Sequence, residues 1–125
     1  MIIKFKSTYG KSNDDMDIIE FTSQLKKFVD GSMTVLEFIE PSNNIQNRIE
    51  YNDKKVSIYA GPTTIDLEIN KLIKNNFVTE HGTIIIVSFM RDIKINHNLI
   101  NISYSLNDEI GNLINNFFIE LHISN

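Results

Sequence analysis

Apolar and polar residues alternate with a period of two along much of the chain, a pattern typical of half-buried β-strands. The segments 45–51 and 63–69 show the alternation most strictly. In the second, apolar Ile65, Leu67 and Ile69 alternate with polar Thr64, Asp66 and Glu68. One side of each segment therefore faces a core and the other faces water.

The same pattern divides the chain into ten strand-like segments separated by turn residues. They are 2–9, 16–29, 33–40, 45–51, 54–60, 63–69, 72–79, 83–90, 99–106 and 113–124. Turn signals such as Asp30-Gly31 and Gly61-Pro62 punctuate them. Strands joined by such short connections predict an all-β fold, an antiparallel up-and-down β-barrel of eight to ten strands with little helix. The whole chain, 1–125, is expected to form this single domain.

Two segments are harder to interpret. The stretch 91–98 is mostly polar and predicts a loop, although it carries Ile93 and Ile95. The stretch 108–118 has apolar residues three and four apart, which suits a helix as well as a strand. Because strict alternation continues as far as Ile123, the strand is favoured.

Composition and charge exclude several kinds of site and classes of protein. With 125 residues, 42% of them hydrophobic, the chain can build one core. It has no cysteine, so disulfides, thiolate metal sites and cysteine nucleophiles are excluded. A net charge of −4 and only two arginines argue against a general nucleic-acid binder. The first residues do not resemble a signal peptide, and the longest apolar run is only 84–87, so a cytoplasmic location without membrane partners is expected.

Several strand sequences in order resemble the DUF1934 family of uncharacterised bacterial proteins, which is related to the calycin barrels. The resemblance lies in Ile18-Ile19-Glu20-Phe21, Leu36-Glu37-Phe38-Ile39-Glu40-Pro41, Val56-Ser57-Ile58-Tyr59-Ala60-Gly61, Phe77-Val78-Thr79, Gly82-Thr83-Ile84-Ile85-Ile86 and Ile102-Ser103-Tyr104-Ser105-Leu106. It covers most of the chain from Met16 onward. It implies a calycin-like β-barrel and a cytoplasmic bacterial protein, and it supplies no reaction.

Catalytic chemistry finds little support in the sequence. His81, His97 and His122 do not have the spacing of metal ligands, so neither a metal nor another cofactor is expected. Two carboxylate pairs, Glu37 with Glu40 and Asp66 with Glu68, could share acid and base roles, but alternation alone produces such pairs on the wet side of a strand. Phosphate-binding loops and hydrolase elbows are missing. An enzyme is the least favoured interpretation.

The barrel interior is the best candidate for a binding site. An inward set made of Phe21, Phe38, Ile86, Tyr104 and Phe117 would give an apolar cavity with a few polar points. The polar residues predicted to contact a ligand are Tyr104, Ser88 and Arg48, the last only if its side of the strand turns inward. The alternative is a solid core that these aromatic side chains fill.

Two functions follow from these two interiors. A hollow barrel predicts a non-catalytic binding protein for a small apolar or amphipathic ligand. A filled barrel predicts a homodimeric interaction protein. Its contact faces would come from segments 83–90 and 33–40, which are apolar on both sides.

Overall fold

The computed structural model describes residues 1–125 and contains eleven β-strands and no helix. The strands are β1 (Ile2–Gly10), β2 (Met16–Gln24), β3 (Lys26–Asp30), β4 (Met33–Glu40), β5 (Ile45–Tyr51), β6 (Lys55–Ala60), β7 (Thr63–Glu68), β8 (Leu72–Thr79), β9 (Gly82–Asn96), β10 (Leu99–Asn107) and β11 (Leu113–Ser124). The prediction of an all-β antiparallel fold is confirmed.

The strands form two antiparallel sheets that face each other. The larger has the order β2-β1-β11-β10-β9-β8, and the smaller has the order β3-β4-β5-β6-β7. Within each sheet, strands next to each other in sequence are neighbours, and β1 pairs with β11 from Ile2 opposite Ser124 to Gly10 opposite Asn116. The chain therefore runs up and down around a ring, with two seams where the sheets meet.

One seam lies where the chain passes from β2 to β3. The predicted strand 16–29 divides at Leu25, which is buried and whose N–H still donates to Met1 O at 2.9 Å. Before Leu25 the chain pairs with β1, and after it the chain pairs with β4. This division brings the count to eleven strands where eight to ten were predicted.

The prediction of a loop at 91–98 is wrong, because β9 continues to Asn96. Tyr104 pairs with Met90 while Ser103 pairs with Asp92, so Arg91 is the extra residue of a bulge. The bulge shifts the alternation by one residue. Ile93 then packs against the core although it has the opposite parity to Met90. The segment at 113–124 is a strand, as the alternation favoured.

The space between the sheets is filled by a core of 18 buried hydrophobic residues. Leu36 and Ile49 reach it from the smaller sheet, and Ile102 and Leu121 reach it from the larger sheet. The five residues predicted to point inward, Phe21, Phe38, Ile86, Tyr104 and Phe117, all belong to this core or pack against it.

The second seam, between β7 and the β8–β9 pair, is joined by side chains rather than by a continuous ladder. Asn75 Oδ1 accepts from Asp66 N at 2.7 Å, and Ser88 Oγ donates to Asp66 O at 2.6 Å. Asn75 Nδ2 in turn donates to Ser88 Oγ at 3.0 Å. Both side chains are buried, so this triad satisfies the backbone of β7 where no strand pairs with it.

The β2–β4 side is joined more sparsely. Ser23 Oγ donates to Ile39 O at 2.8 Å across the gap between the two sheets.

The second seam continues beyond the end of β7 by one backbone hydrogen bond, in which Asn70 N donates to Met90 O at 2.9 Å.

Because neighbouring strands are antiparallel, the loops alternate between two ends of the ring. Loops 11–15, 41–44, 61–62, 80–81 and 108–112 lie at one end. These five loops carry the carboxylates Asp14, Asp15, Glu80, Asp108 and Glu109, with Lys11 as their one lysine. We call this the acidic end. The loops at the opposite end carry Asp53, Lys54 and Lys71.

We expect Ser88→Ala to lower the free energy of unfolding by about 1–3 kcal/mol, because Asp66 O loses its donor and the Asn75 amide loses an acceptor inside the core. The matched control is Ser57→Ala, which removes a hydroxyl that donates at 2.7 Å to the carboxylate of the same Asp66 at an exposed position. Urea denaturation compares the two. Equal losses would contradict the importance of the buried triad.

Candidate functional site

An open cavity of about 430 Å³ lies at the acidic end, between β1–β2 of the larger sheet and β4–β6 of the smaller one. We call it the mouth cavity. Nine residues line it: Phe5, Ile19, Phe21, Glu40, Ser42, Asn43, Ile45, Asn47 and Ala60. It sits above the filled core, so a ligand could enter from solvent without displacing core side chains.

Two stacked aromatic rings, Phe5 and Phe21, form the apolar floor of the mouth cavity, and a third ring, Phe38, is buried beside them. Phe5 and Phe21 are directly opposite in the β1–β2 register, and their rings stack with centroids 4.9 Å apart. The buried ring of Phe38 lies 5.9 Å from Phe5 and 6.0 Å from Phe21, tilted to both. Ile19 and Ile45, each more than a third exposed, flank the opening. Such exposed apolar surface suits the body of an amphipathic ligand.

Glu40 supplies the charge at the rim. It has the same parity as the buried Leu36 and Phe38, so it faces the inner side of β4 at the strand's end. Its carboxylate accepts from Ser42 Oγ at 2.5 Å, Ser42 N at 3.0 Å and Asn43 N at 2.9 Å. The Ser42 hydroxyl, aided by the two N–H groups, holds the pKa of Glu40 below its ordinary value. The rim is therefore negatively charged at neutral pH.

Tyr104 lies inside the larger sheet rather than at the cavity. Its ring stacks on Phe117 with centroids 4.9 Å apart and planes 4° apart, and Phe117 stacks on Tyr9 at 5.7 Å. Only 3% of Tyr104 is exposed, and burial raises the pKa of its hydroxyl far above the ordinary value.

Ser88 and Arg48 also have structural contacts. The Ser88 hydroxyl belongs to the buried triad with Asn75 and Asp66. Arg48 lies on the outer face of β5, opposite in parity to the buried Ile49. Its Nε donates to Glu50 Oε2 at 2.7 Å, and this hydrogen bond raises the pKa of Arg48. The sequence predicts that Arg48 contacts a ligand only if its side of β5 turns inward, and that side faces outward.

The three predicted ligand contacts are therefore not brought together. Tyr104 and Ser88 lie on neighbouring strands of the larger sheet, whereas Arg48 lies on the outer face of the smaller one. That any of them contacts a ligand stays a prediction.

The carboxylate pairs are separated or neutralised. Glu37 lies on the outer face of β4, 3.9 Å from Arg48, whereas Glu40 faces inward. On β7, Asp66 accepts from Ser57, and Glu68 lies 2.6 Å from Lys71 Nζ, which lowers the pKa of Glu68. No three histidine, aspartate or glutamate side chains are grouped closely enough to hold a metal ion. The structure also lacks a helix that could cross a membrane.

A second depression of about 490 Å³ lies at the same end, near the β10–β11 loop. Ile84, Ile110 and Ile114 give it apolar walls, and Asp108 and Glu109 stand on its edge. Asp108 accepts hydrogen bonds from the N–H groups of Asn112 and Ile110, which lower the pKa of Asp108. Its carboxylate therefore holds the loop in shape.

Glu40 and Phe5 are two of the eight lining residues that sequence reasoning did not single out for binding, since only Phe21 belongs to the predicted inward set. Phe5 shares parity with Ile3, which marked it as inward-facing. Glu40 had a weaker signal, an acidic residue that ends a strand just before the Pro41-Ser42-Asn43 turn, where local donors are available.

The buried phenol makes stability depend on alkaline pH. The pKa of Tyr104 is raised in the folded state, so the buried neutral hydroxyl contributes fully to the free energy of unfolding below about pH 10, the ordinary tyrosine value. That contribution is lost as the pH rises above this value. We expect the free energy of unfolding to fall over this range, and to fall less steeply in Tyr104→Phe. Urea denaturation across alkaline pH measures this. Parallel slopes for the two proteins would show that Tyr104 ionises freely in the folded state.

Comparison with known proteins shows likeness over the full length. No family model matches the sequence. An uncharacterised protein of Mycoplasmopsis pulmonis (strain UAB CTIP) is 29% identical over 125 residues, which cover 98% of both chains. The crystal structure of ywiB protein from Bacillus subtilis superposes with a TM-score of 0.69 at 13% identity, covering 99% of this chain and 91% of that one. The chain therefore shares its β fold with the ywiB protein from end to end.

Proposed function

We propose that this protein is a non-catalytic binding protein for a small amphipathic ligand and that the mouth cavity is its binding site. The observation that carries the proposal is the stacked aromatic floor of Phe5 and Phe21, supported by the buried Phe38, beneath a polar rim. A cavity of about 430 Å³ is within the size range of small-molecule sites, which combine apolar walls with a few polar groups.

The rim chemistry favours binding over catalysis. Ser42 Oγ is hydrogen-bonded to Glu40, which resembles a nucleophile next to a base. However, the same carboxylate accepts two backbone N–H groups, and its lowered pKa makes it a weak base at neutral pH. The arrangement is that of a turn held in place by its own side chains.

The filled core moves the proposed site from the barrel interior to its mouth. The proposal includes membership of the DUF1934 family and a cytoplasmic location in a bacterium. The up-and-down order around the ring supports the calycin-like part of this assignment.

Octanol is a suitable first probe because it has an apolar tail and one polar group. We expect Phe21→Ala to weaken octanol binding about tenfold, since the tail loses one face of the stacked pair. Calorimetric titration measures the affinity. Phe118→Ala is the matched control, because Phe118 is 38% exposed on the outer face of β11 and should leave the affinity unchanged.

Thermal melts establish that both variants are folded before the affinities are compared. Lack of octanol binding by the natural chain, or an equal loss in both variants, would remove the mouth cavity as the site.

A homodimer is the second candidate function, favoured by one outward-facing patch. Leu72, 70% exposed on β8, stands opposite Phe89 of β9, and the half-exposed Val87 lies on the same outer face. A second copy could cover this patch.

Sedimentation over a concentration series tests the dimer. On this second proposal we expect a dimer that Leu72→Lys dissociates, because the charge would be buried against the partner. Val78→Lys, at an 85% exposed position of the same strand, is the control that should leave it intact. A monomer at every concentration would remove this candidate.

A further inference from the structure

We propose that the mouth cavity selects amphiphiles with a cationic headgroup, with a primary ammonium bound at Glu40 and the apolar tail lying on Phe5 and Phe21. The inference rests on the proposed function, because it names the ligand class of the same cavity. It follows from the charges of the lining residues, the hydrogen bonding of Glu40 and the distribution of charge over the molecule.

The lining of the mouth cavity contains one charged side chain, and it is negative. Among the nine lining residues Glu40 is the single titratable one, and none is a lysine, arginine or histidine. The nearest side-chain polar groups, those of Ser42, Asn43 and Asn47, are uncharged. A ligand carboxylate or phosphate would therefore meet repulsion from Glu40 with no compensating cation.

Glu40 keeps room for one more donor. Two carboxylate oxygens offer about four acceptor positions, and the Ser42 hydroxyl and the N–H groups of Ser42 and Asn43 occupy three of them. These donors also fix the carboxylate in one orientation, which reduces the entropy lost when a ligand binds. An ammonium group is a compact cation with three donors and suits the remaining position.

The aromatic pair below the rim favours the same ligand. Ring faces attract cations as well as alkyl chains, so Phe5 and Phe21 tolerate a charged group near the rim. An apolar tail covers the stacked rings while the headgroup stays close to solvent, as amphipathic molecules require.

The charge on the loops at this end of the molecule also favours a cationic ligand. The loops of the acidic end carry five carboxylates and one lysine, and the uncharged loop 41–44 of the same end borders the mouth cavity. An excess of one charge at this end of the molecule attracts ligands of the opposite charge toward it. The contribution of these loops weakens in salt, whereas the contact with Glu40 is closer and weakens less.

Three probes with the same eight-carbon tail test the headgroup: octylammonium, octanol and octanoate, titrated calorimetrically at neutral pH. We expect octylammonium to bind about fivefold more tightly than octanol, the effect of a partly exposed ion pair. Octanoate should bind more weakly than octanol. This ranking uses the natural chain and does not depend on any variant folding.

Glu40→Gln and Glu20→Gln separate the local contact from the general field. Both remove one negative charge, but Glu20 is exposed on the outer face of β2, between the inward-facing Ile19 and Phe21. We expect Glu40→Gln to abolish the advantage of octylammonium over octanol, measured as the ratio of the two affinities in the same variant. Glu20→Gln should retain most of the advantage.

The outcomes distinguish the two proposals. Equal affinity for all three probes would overturn the cationic preference, and an advantage that Glu40→Gln does not reduce would overturn the binding of the ammonium at Glu40. Either outcome would leave the mouth cavity as a binding site. Lack of binding by every probe would overturn both. An equal reduction in Glu40→Gln and Glu20→Gln would assign the preference to the overall field and would overturn the role of Glu40.

Discussion

The structure depends on the buried hydrogen bonds that join β7 to the larger sheet. A ring of this size has to close without leaving backbone groups of β7 unpaired in an apolar interior. Asn75 and Ser88 satisfy the N–H and the carbonyl of Asp66, so two sheets behave as one enclosed unit. At this seam the core of 18 residues is bordered by buried polar groups that have hydrogen-bond partners.

A filled interior decides where a ligand can bind. Core side chains from both sheets meet across the ring, and the larger residues such as Met90, Ile102 and Leu121 have no measurable exposure. The mouth cavity lies outside this core, between β1–β2 and β4–β6. At the acidic end the stacked Phe5 and Phe21 are left partly open, next to a carboxylate held by its own turn. The proposed function and its headgroup preference both rest on this pairing of exposed rings with a carboxylate.

Irregularities in two strands explain where the predictions from sequence alternation were wrong. Leu25 continues the alternation that begins with Ile19 and Phe21, yet the chain changes partners there because each half of 16–29 pairs with a different sheet. Arg91 interrupts the alternation in β9, so a strand with a bulge resembles a polar loop in the sequence. In both places the deciding contacts come from residues distant in sequence.

The sequence by itself determined the all-β class, most strand bounds and the set of inward residues, since the period of two follows from local backbone geometry. It also determined which residues could carry charge. Only the tertiary structure decided that Ser88 joins two sheets, that Arg48 faces outward with Glu50, and that Glu40 lies beside two phenylalanines from other strands. The alternation of apolar and polar residues predicts that a side chain lies on one of the two faces of a strand. The packing of the two sheets determines which face is inside and which side chains meet there.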